Sequence, residues 1–239
     1  RLRQGGFKSF AQYCDHVSRP EGIDERNEMR AALTTNVTRF FRENHHFEHF
    51  KSYLRQELVP TARKGGCVRI WSAACSTGQE PYSVALTILS ALPDARSYDI
   101  KILATDIDPH CLAAARKGVY SDETIDGVPA DLRQRYFVQG SSEGRPSWTA
   151  GPELQSLVSF RELNLVKSWP MRKEFQVVLC RNVVIYFDEQ TQHQIWEKLS
   201  ALMAPRSVLY IGHAERVTGP AAQRFQLIGN STYRIEEVQ

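Results

Sequence analysis

The sequence predicts an α/β fold in which a mostly parallel sheet follows a small helical region. From Cys67 onward, short apolar β-like runs alternate with helical patterns, an order typical of a sheet with helices on both faces. The first ~60 residues instead place apolar side chains at three- and four-residue spacings, which favours helices. Near the end, residues 225–228 and 232–235 flank Gly229-Asn230-Ser231, a pattern that predicts a terminal antiparallel hairpin.

The elements follow in order along the chain. Helices are predicted at about residues 79–92, 109–117 and 188–203, and strands at residues 68–73, 100–104, 175–180 and 208–211. Pro60 and Lys64-Gly65-Gly66 indicate a linker before the first strand. Runs with β character at residues 134–138 and 157–160 enclose a stretch rich in glycine and serine, so we expect a small inserted β region there.

Composition narrows the class of protein. The 239 residues are 42% hydrophobic and 24% charged, as in ordinary globular proteins. No apolar stretch approaches the ~20 residues of a membrane span, and no apolar signal segment opens the chain, so we expect a soluble, cytoplasmic protein. Five scattered cysteines without a C-x-x-C pair predict reduced thiols. A net charge of +3 gives little reason to expect nucleic acid.

Small residues follow the first predicted strand, in the stretch Ser72-Ala73-Ala74-Cys75-Ser76-Thr77-Gly78-Gln79-Glu80-Pro81-Tyr82-Ser83. They let a ligand approach the backbone, and Pro81 suits the first turn of the next helix. Ligands bind beyond the carboxyl ends of parallel strands, so this stretch is a candidate cofactor site. A tight turn that holds no ligand is the alternative.

Asp106 ends the second predicted strand, 28 residues beyond Gly78. A carboxylate there can accept hydrogen bonds from both hydroxyls of a ribose. Its alternative role is a helix cap, which Asp108 before Pro109 fills better. The sequence has neither G-x-G-x-x-G nor G-x-x-x-x-G-K-[ST], so a nucleoside without a phosphate chain fits better than a dinucleotide.

Polar side chains also follow the strand at residues 175–180. Arg181, Asn182 and Tyr186 would lie at the rim of the same crevice, unless they only end the strand and start the next helix. In DNA and RNA amino-methyltransferases, an Asn or Asp here precedes two prolines and an aromatic residue. Asn182 precedes Val183-Val184 instead, which argues against a base amine as substrate.

Taken together, these stretches resemble the family of chemotaxis-receptor glutamate methyltransferases, the CheR family. The likeness runs from about Thr34 to Glu236 and rests on four motifs: Thr34-Thr35-Asn36-Val37-Thr38-Arg39-Phe40-Phe41-Arg42, the stretch from Ser72 to Ser83, Asp106-Ile107-Asp108, and Arg181-Asn182-Val183-Val184-Ile185-Tyr186-Phe187. It implies a Rossmann-like S-adenosylmethionine methyltransferase domain at 61–239, a small N-terminal helical domain at 1–60 and an inserted antiparallel β-subdomain at about 136–162. It also implies methyl transfer to glutamate carboxylates of bacterial chemoreceptors, forming methyl esters for sensory adaptation.

The resemblance also implies the site residues by matching positions. Those surrounding S-adenosylmethionine would be Asn36, Thr38, Arg42, Glu80, Asp106, Asn164, Leu165, Arg181 and Asn182. Arg42 and Tyr186 would lie nearest the transferring methyl and act in catalysis. Glu80 suits the α-ammonium of the cofactor and Asp106 its ribose. The implied partners are receptor cytoplasmic domains, with the β-subdomain a candidate site for a receptor's C-terminal tail; neither nucleic acid nor membrane insertion is implied.

The sequence departs from the family pattern in a few places. Gln79 replaces the first of two usual glutamates, and Gly212-His213-Ala214-Glu215 replaces Gly-His-Ser-Glu. Pro205-Arg206 lacks the usual glycines. Because the chain starts without Met and has few residues before Thr34, we expect its N-terminal helical domain to be truncated.

Three other interpretations compete with this one. His45, His46 and His49 surround Glu48 on a predicted helix, but H-H-F-E-H is not the H-E-x-x-H zinc motif, so we expect no metal. A non-catalytic cofactor- or receptor-binding module could keep the same fold, although it would not need the set of Arg42, Asp106 and Tyr186. The absent phosphate fingerprint disfavours a dehydrogenase.

Overall fold

The computed structural model describes residues 1–33, 36–142, 144–172 and 174–236. Thr34 and Thr35 of the first motif lie outside the described residues, as do the last three residues of the predicted methyltransferase domain. The helices are α1 (Phe10–Ser18), α2 (Ile23–Leu33), α3 (His45–Tyr53), α4 (Val59–Arg63), α5 (Gln79–Ala91), α6 (Pro109–Lys117), α7 (Asp122–Ile125), α8 (Ala130–Tyr136), α9 (Pro152–Leu157) and α10 (Glu189–Ala201). The strands are β1 (Val68–Ala73), β2 (Ile100–Asp106), β3 (Val119–Ser121), β4 (Phe137–Ser142), β5 (Arg145–Ala150), β6 (Val158–Glu162), β7 (Phe175–Cys180), β8 (Met203–Ile211), β9 (Phe225–Gly229) and β10 (Thr232–Ile235).

Seven strands form the central sheet in the order β6-β2-β1-β7-β8-β10-β9. The first five are parallel, while β10 runs antiparallel to β8 and pairs with β9 as the predicted terminal hairpin. The α/β fold class, its Rossmann-like parallel sheet and a separate small antiparallel sheet are therefore confirmed. The predicted strands at 68–73 and 175–180 match β1 and β7.

Helices cover both faces of the central sheet because its strands are apolar on both sides. Successive side chains of a strand point to opposite faces. Val68 and Ile70 of β1 pack into the core on the face that α5 covers, whereas Trp71 and Ala73 pack into the core that α10 covers. Burial on both faces explains why β1 reads as a continuous apolar run.

Local signals set the helix ends near the site. Asp108 caps α6, as its sequence position suggested: its carboxylate accepts from the backbone N–H groups of His110 and Cys111. Between α3 and α4 the chain makes one π-helical turn at Leu54–Leu58. Pro60 follows this turn and has no N–H to donate to the carbonyl of Gln56, which favours the local change of helix type.

The small antiparallel sheet differs in extent from the predicted insertion at about 136–162. It has the order β3-β5-β4, so it begins with β3 at Val119–Ser121. The β-like run at residues 157–160 belongs instead to β6, which pairs in parallel with β2 at the edge of the central sheet. The run was recognisable as a strand, but its alternation does not specify which sheet it joins.

The region before residue 60 is helical, as predicted. Phe47, Phe50 and Leu54 are buried in the same core as α5 and the sheet. The boundary of a separate helical domain at residue 60 stays a prediction. None of the helices in the described part of the chain combines the length and the apolar character needed to cross a membrane.

Candidate active site

Three loops meet at the carboxyl edge of the central sheet. In the strand register Ala73 is paired with Thr105 on one side and Cys180 on the other. The residues that follow these positions must therefore be neighbours in space, although Cys180 lies more than 70 positions after Thr105 in the sequence. This edge is where ligands bind in open α/β sheets.

A cavity of about 560 Å³ lies at this edge. Its volume is within the range of small-molecule sites. All ten residues implied by the resemblance line it: Asn36, Thr38, Arg42, Glu80, Asp106, Asn164, Leu165, Arg181, Asn182 and Tyr186. The structure thus brings the complete predicted set together around one space, while the role of each residue stays a prediction.

The loop after β1 passes close beneath the cavity in an unusual backbone conformation. Ala74, Ser76 and Gly78 have φ angles of 64°, 49° and 96°. All three lie in the left-handed region, which residues with a Cβ rarely adopt. At Gly78 an added Cβ would lie 2.9 Å from the Cβ of Ala115. Such strained residues cluster at binding sites, where the surrounding structure holds them.

Asp106 anchors this loop to the end of β2. One carboxylate oxygen accepts from the backbone N–H of Ser76 at 2.7 Å and the other from that of Asp108 at 3.0 Å. Burial raises the pKa of Asp106, against the lowering effect of these N–H groups. A carboxylate has about four acceptor positions, so Asp106 keeps acceptor capacity for the hydroxyls of a ribose.

Glu80 and Arg181 form a buried ion pair across the cavity floor. Arg181 Nη1 donates to Glu80 Oε2 at 2.9 Å, and the hydroxyl of Ser72 donates to Oε1 at 2.7 Å. Burial raises the pKa of Glu80, and Arg181 opposes that rise. The predicted contact of Glu80 with a cofactor ammonium would therefore share this carboxylate with Arg181.

Glu43 completes the network, and sequence reasoning missed it. Its carboxylate accepts from Asn182 Nδ2 at 3.3 Å and from His213 Nδ1 at 3.1 Å, and lies 3.5 Å from Arg181 Nη2. Burial alone would raise the pKa of Glu43, but His213, Arg181 and Asn182 lower it to about 2. Its position directly after Arg42 in the first motif was the available signal.

Glu215 ties the ends of β7 and β8 together. Its carboxylate accepts from four backbone N–H groups at 2.5–2.9 Å, those of Asn182, Val183, Val184 and Gly212. Asn182 has a left-handed φ of 57°, a conformation that these bonds support. Gly212 lies so close that an added Cβ would meet the side-chain amide of Asn182 and come within 2.8 Å of Glu215 Oε2. The sequence signal for Glu215 was its place in Gly212-His213-Ala214-Glu215, the stretch that differs from the Gly-His-Ser-Glu pattern of the family.

The two predicted catalytic residues lie at the mouth of the cavity. Arg42 donates from Nη1 to the carbonyl of Val37 at 2.9 Å, while its own carbonyl accepts from Arg181. Tyr186 ends a single 3₁₀ turn, Val184–Tyr186, and is 59% exposed. Both side chains can therefore meet a substrate that approaches from solvent.

The remaining predicted residues form the walls. Asn36 donates to Asp108 Oδ2 at 3.0 Å, and its carbonyl accepts from the hydroxyl of Ser76 at 2.9 Å. Asn164 accepts from the N–H of Val166 at 2.9 Å, which shapes the loop after β6. Leu165 is buried, and Thr38 is half-buried.

The histidines of α3 lie in two different surroundings. His49 Nδ1 lies 2.8 Å from the hydroxyl of Tyr210, so it belongs to the packing of α3 on the sheet. Glu43, His45 and His46 each place one possible ligand atom within 4.8 Å of the others. Glu43 is already bound by Arg181, Asn182 and His213, which reduces its availability to a metal. That the chain carries no metal stays a prediction.

Comparison with known proteins adds to this geometry. The family model "CheR methyltransferase, SAM binding domain" matches residues 36–234. A probable chemotaxis protein methyltransferase of Rhizobium etli is 49% identical over 98% of this chain and 87% of its own length. Chemotaxis protein methyltransferase 2 of Pseudomonas aeruginosa is 40% identical, over 98% of this chain and 81% of its own length. The chemotaxis protein methyltransferase of Escherichia coli is 36% identical, over 99% and 80%. The chain therefore belongs to the CheR methyltransferase family and contains its S-adenosylmethionine-binding domain.

Proposed function

We propose that this chain transfers the methyl group of S-adenosylmethionine to glutamate side-chain carboxylates of bacterial chemoreceptors, forming methyl esters for sensory adaptation. The names of its relatives, chemotaxis protein methyltransferases, support the process. The proposal makes the receptors' cytoplasmic domains the partners and the cytoplasm the location. It also includes the small sheet of β3, β4 and β5 as the site for a receptor's C-terminal tail.

One observation carries the choice of a carboxylate as acceptor. Among the described residues that line the cavity, the acids are Glu80 and Asp106, and both already accept two hydrogen bonds from protein groups. Histidine and lysine are absent from the described lining. An acceptor that must lose a proton would need a free base, whereas a glutamate, with a reference pKa near 4.3, arrives as an anion.

The residues of the cavity fit the cofactor by their donor and acceptor chemistry. Asp106 keeps acceptor positions for ribose hydroxyls, and Glu80 offers a buried carboxylate to an ammonium. When bound, S-adenosylmethionine supplies a methyl carbon to which the glutamate oxygen bonds while the carbon–sulfur bond breaks onto sulfur, leaving a neutral ester and a neutral thioether.

The chain itself contributes positioning. Arg42 holds the incoming carboxylate at the mouth, and Tyr186 orients it by a hydrogen bond. Glu43 and Glu80 both pair with Arg181, so that among the described residues that line the cavity Arg42 is the cation that faces the substrate. Fixing two reactants in an attack geometry contributes as much as ~7–11 kcal/mol to lowering a barrier.

The experiment is methyl transfer from radiolabelled S-adenosylmethionine to a purified receptor cytoplasmic fragment. Label that alkali releases as methanol identifies a glutamyl methyl ester, and a fragment with its acceptor glutamates changed to glutamine is the matched control. No incorporation, with S-adenosylhomocysteine still binding in a calorimeter, would favour the non-catalytic binding module instead. Failure to bind S-adenosylhomocysteine would contradict the cofactor assignment.

A further inference from the structure

Apolar side chains surround the mouth of the cavity and are exposed to solvent. We name this set the mouth rim: Leu33, Val37, Val166, Ile185 and Tyr186, with exposed fractions of 77%, 78%, 46%, 45% and 59%. Four of them also line the cavity, and Ile185 shares a single turn with Tyr186. Scattered exposed apolar residues are ordinary in soluble proteins, but a group gathered at one opening is typical of a binding surface.

Hydrogen bonds hold the backbone that carries Val37, Val166, Ile185 and Tyr186. The carbonyl of Val37 accepts from Arg42, and the N–H of Val166 donates to Asn164 Oδ1. The turn that carries Ile185 is held by Glu215 through the N–H groups of Val183 and Val184. A surface ordered before binding loses less conformational entropy when a partner covers it.

We infer that the mouth rim is the docking surface for aliphatic side chains that flank the target glutamate in the receptor. This inference rests on the proposed function. Arg42 lies at this opening, so a polypeptide segment whose carboxylate reaches Arg42 from solvent lies across the mouth rim. The segment therefore combines an acidic side chain pointing inward with apolar side chains on either side.

The test replaces aliphatic side chains of the mouth rim by serine and leaves the predicted cofactor-binding and catalytic residues unchanged. Val37→Ser and Ile185→Ser should each raise the KM for the receptor fragment about fivefold to tenfold, the effect of losing one or two buried methylene groups from the contact. In Ile185→Ser, whose side chain lies outside the cavity lining, the kcat and the affinity for S-adenosylhomocysteine should stay at their wild-type values. Leu227→Ser is the matched control, because Leu227 is 62% exposed on β9, outside the rim.

Substrate variants sharpen the test. Serine in place of the aliphatic neighbours of the glutamate should raise the KM of the wild-type enzyme but add little to the defect of Ile185→Ser, because the two changes remove the same contact. An unchanged KM in both rim variants would overturn the inference. So would a parallel loss of S-adenosylhomocysteine affinity in Ile185→Ser, which would assign the mouth rim to the cofactor site. A wild-type enzyme that does not label the fragment would overturn the proposed function itself, before any variant is measured.

Discussion

Replacing Glu215 by glutamine should loosen the loop after β7, which carries Asn182 and Tyr186 at the active site. Each carboxylate oxygen accepts two backbone N–H groups: Oε1 from Val183 and Val184, Oε2 from Asn182 and Gly212. In either orientation, the amide NH₂ of glutamine would face two of these donors and leave them without an acceptor. Hydrogen bonds to a charged group contribute about 1.5–3 kcal/mol each, so the loss should be about 3–6 kcal/mol.

Thermal unfolding measures this loss. For a chain of this size, 1 kcal/mol shifts Tm by about 2–4 °C, so Glu215→Gln should melt roughly 6–24 °C lower. If only the loop after β7 unfolds locally, Tm falls less. Methyl transfer then falls, because Asn182 and Tyr186 lose their fixed positions. Glu189→Gln is the control, since the side chain of Glu189 is 85% exposed. A Glu215→Gln protein with unchanged Tm and unchanged kcat would refute this reasoning.

Four further outcomes are expected. Arg42→Ala should abolish transfer and Tyr186→Phe weaken it, measured as kcat with the receptor fragment; near-normal turnover in both contradicts their assignment. Asp106→Asn should weaken S-adenosylhomocysteine binding at least about tenfold in calorimetry, because a ribose hydroxyl loses its anionic acceptor; unchanged affinity rules out the ribose contact. Gly212→Ala should lower Tm, while Gly140→Ala, which meets nothing within 4 Å, should not; equal melting of the two would exclude the close packing of Gly212. The pKa of Glu43 is lowered from 4.5 to about 2 in the folded protein, so the contribution of its carboxylate to stability is present above about pH 4.5 and disappears as pH falls toward 2. The unfolding free energies of wild type and Glu43→Gln should therefore converge over that range. A difference that stays constant with pH would contradict the lowered pKa of Glu43.

The sheet and the residues at its edge could be predicted because their signals are local. Buried parallel strands appear as short apolar runs such as Val68–Ala73, and functional side chains follow the ends of such runs. Asp106 and Arg181 were found in this way. Their predicted neighbours Asn36 and Asn164 came from the resemblance alone, since nothing in their local sequence indicates a ligand.

The supporting network could not be predicted, because its contacts join distant parts of the chain. Glu80 pairs with a residue 101 positions away, and Glu43 with one 139 positions away. Glu215 acts on backbone groups rather than on a recognisable partner side chain. The sheet that residues 157–160 would join was undetermined for the same reason: strand partners depend on tertiary packing, which alternation in one segment does not encode.

The packing of residues 40–58, which include α3 and the π-helical turn after it, limits where this enzyme can be divided into fragments. Phe40, Phe47, Phe50, Leu54 and Leu58 are at most 4% exposed and share one core with α5 and the sheet. A fragment that begins at the predicted boundary of residue 61 would uncover the apolar surface against which these five side chains pack. We expect such a fragment to aggregate when expressed alone, whereas one that begins near Asn36 keeps this core closed.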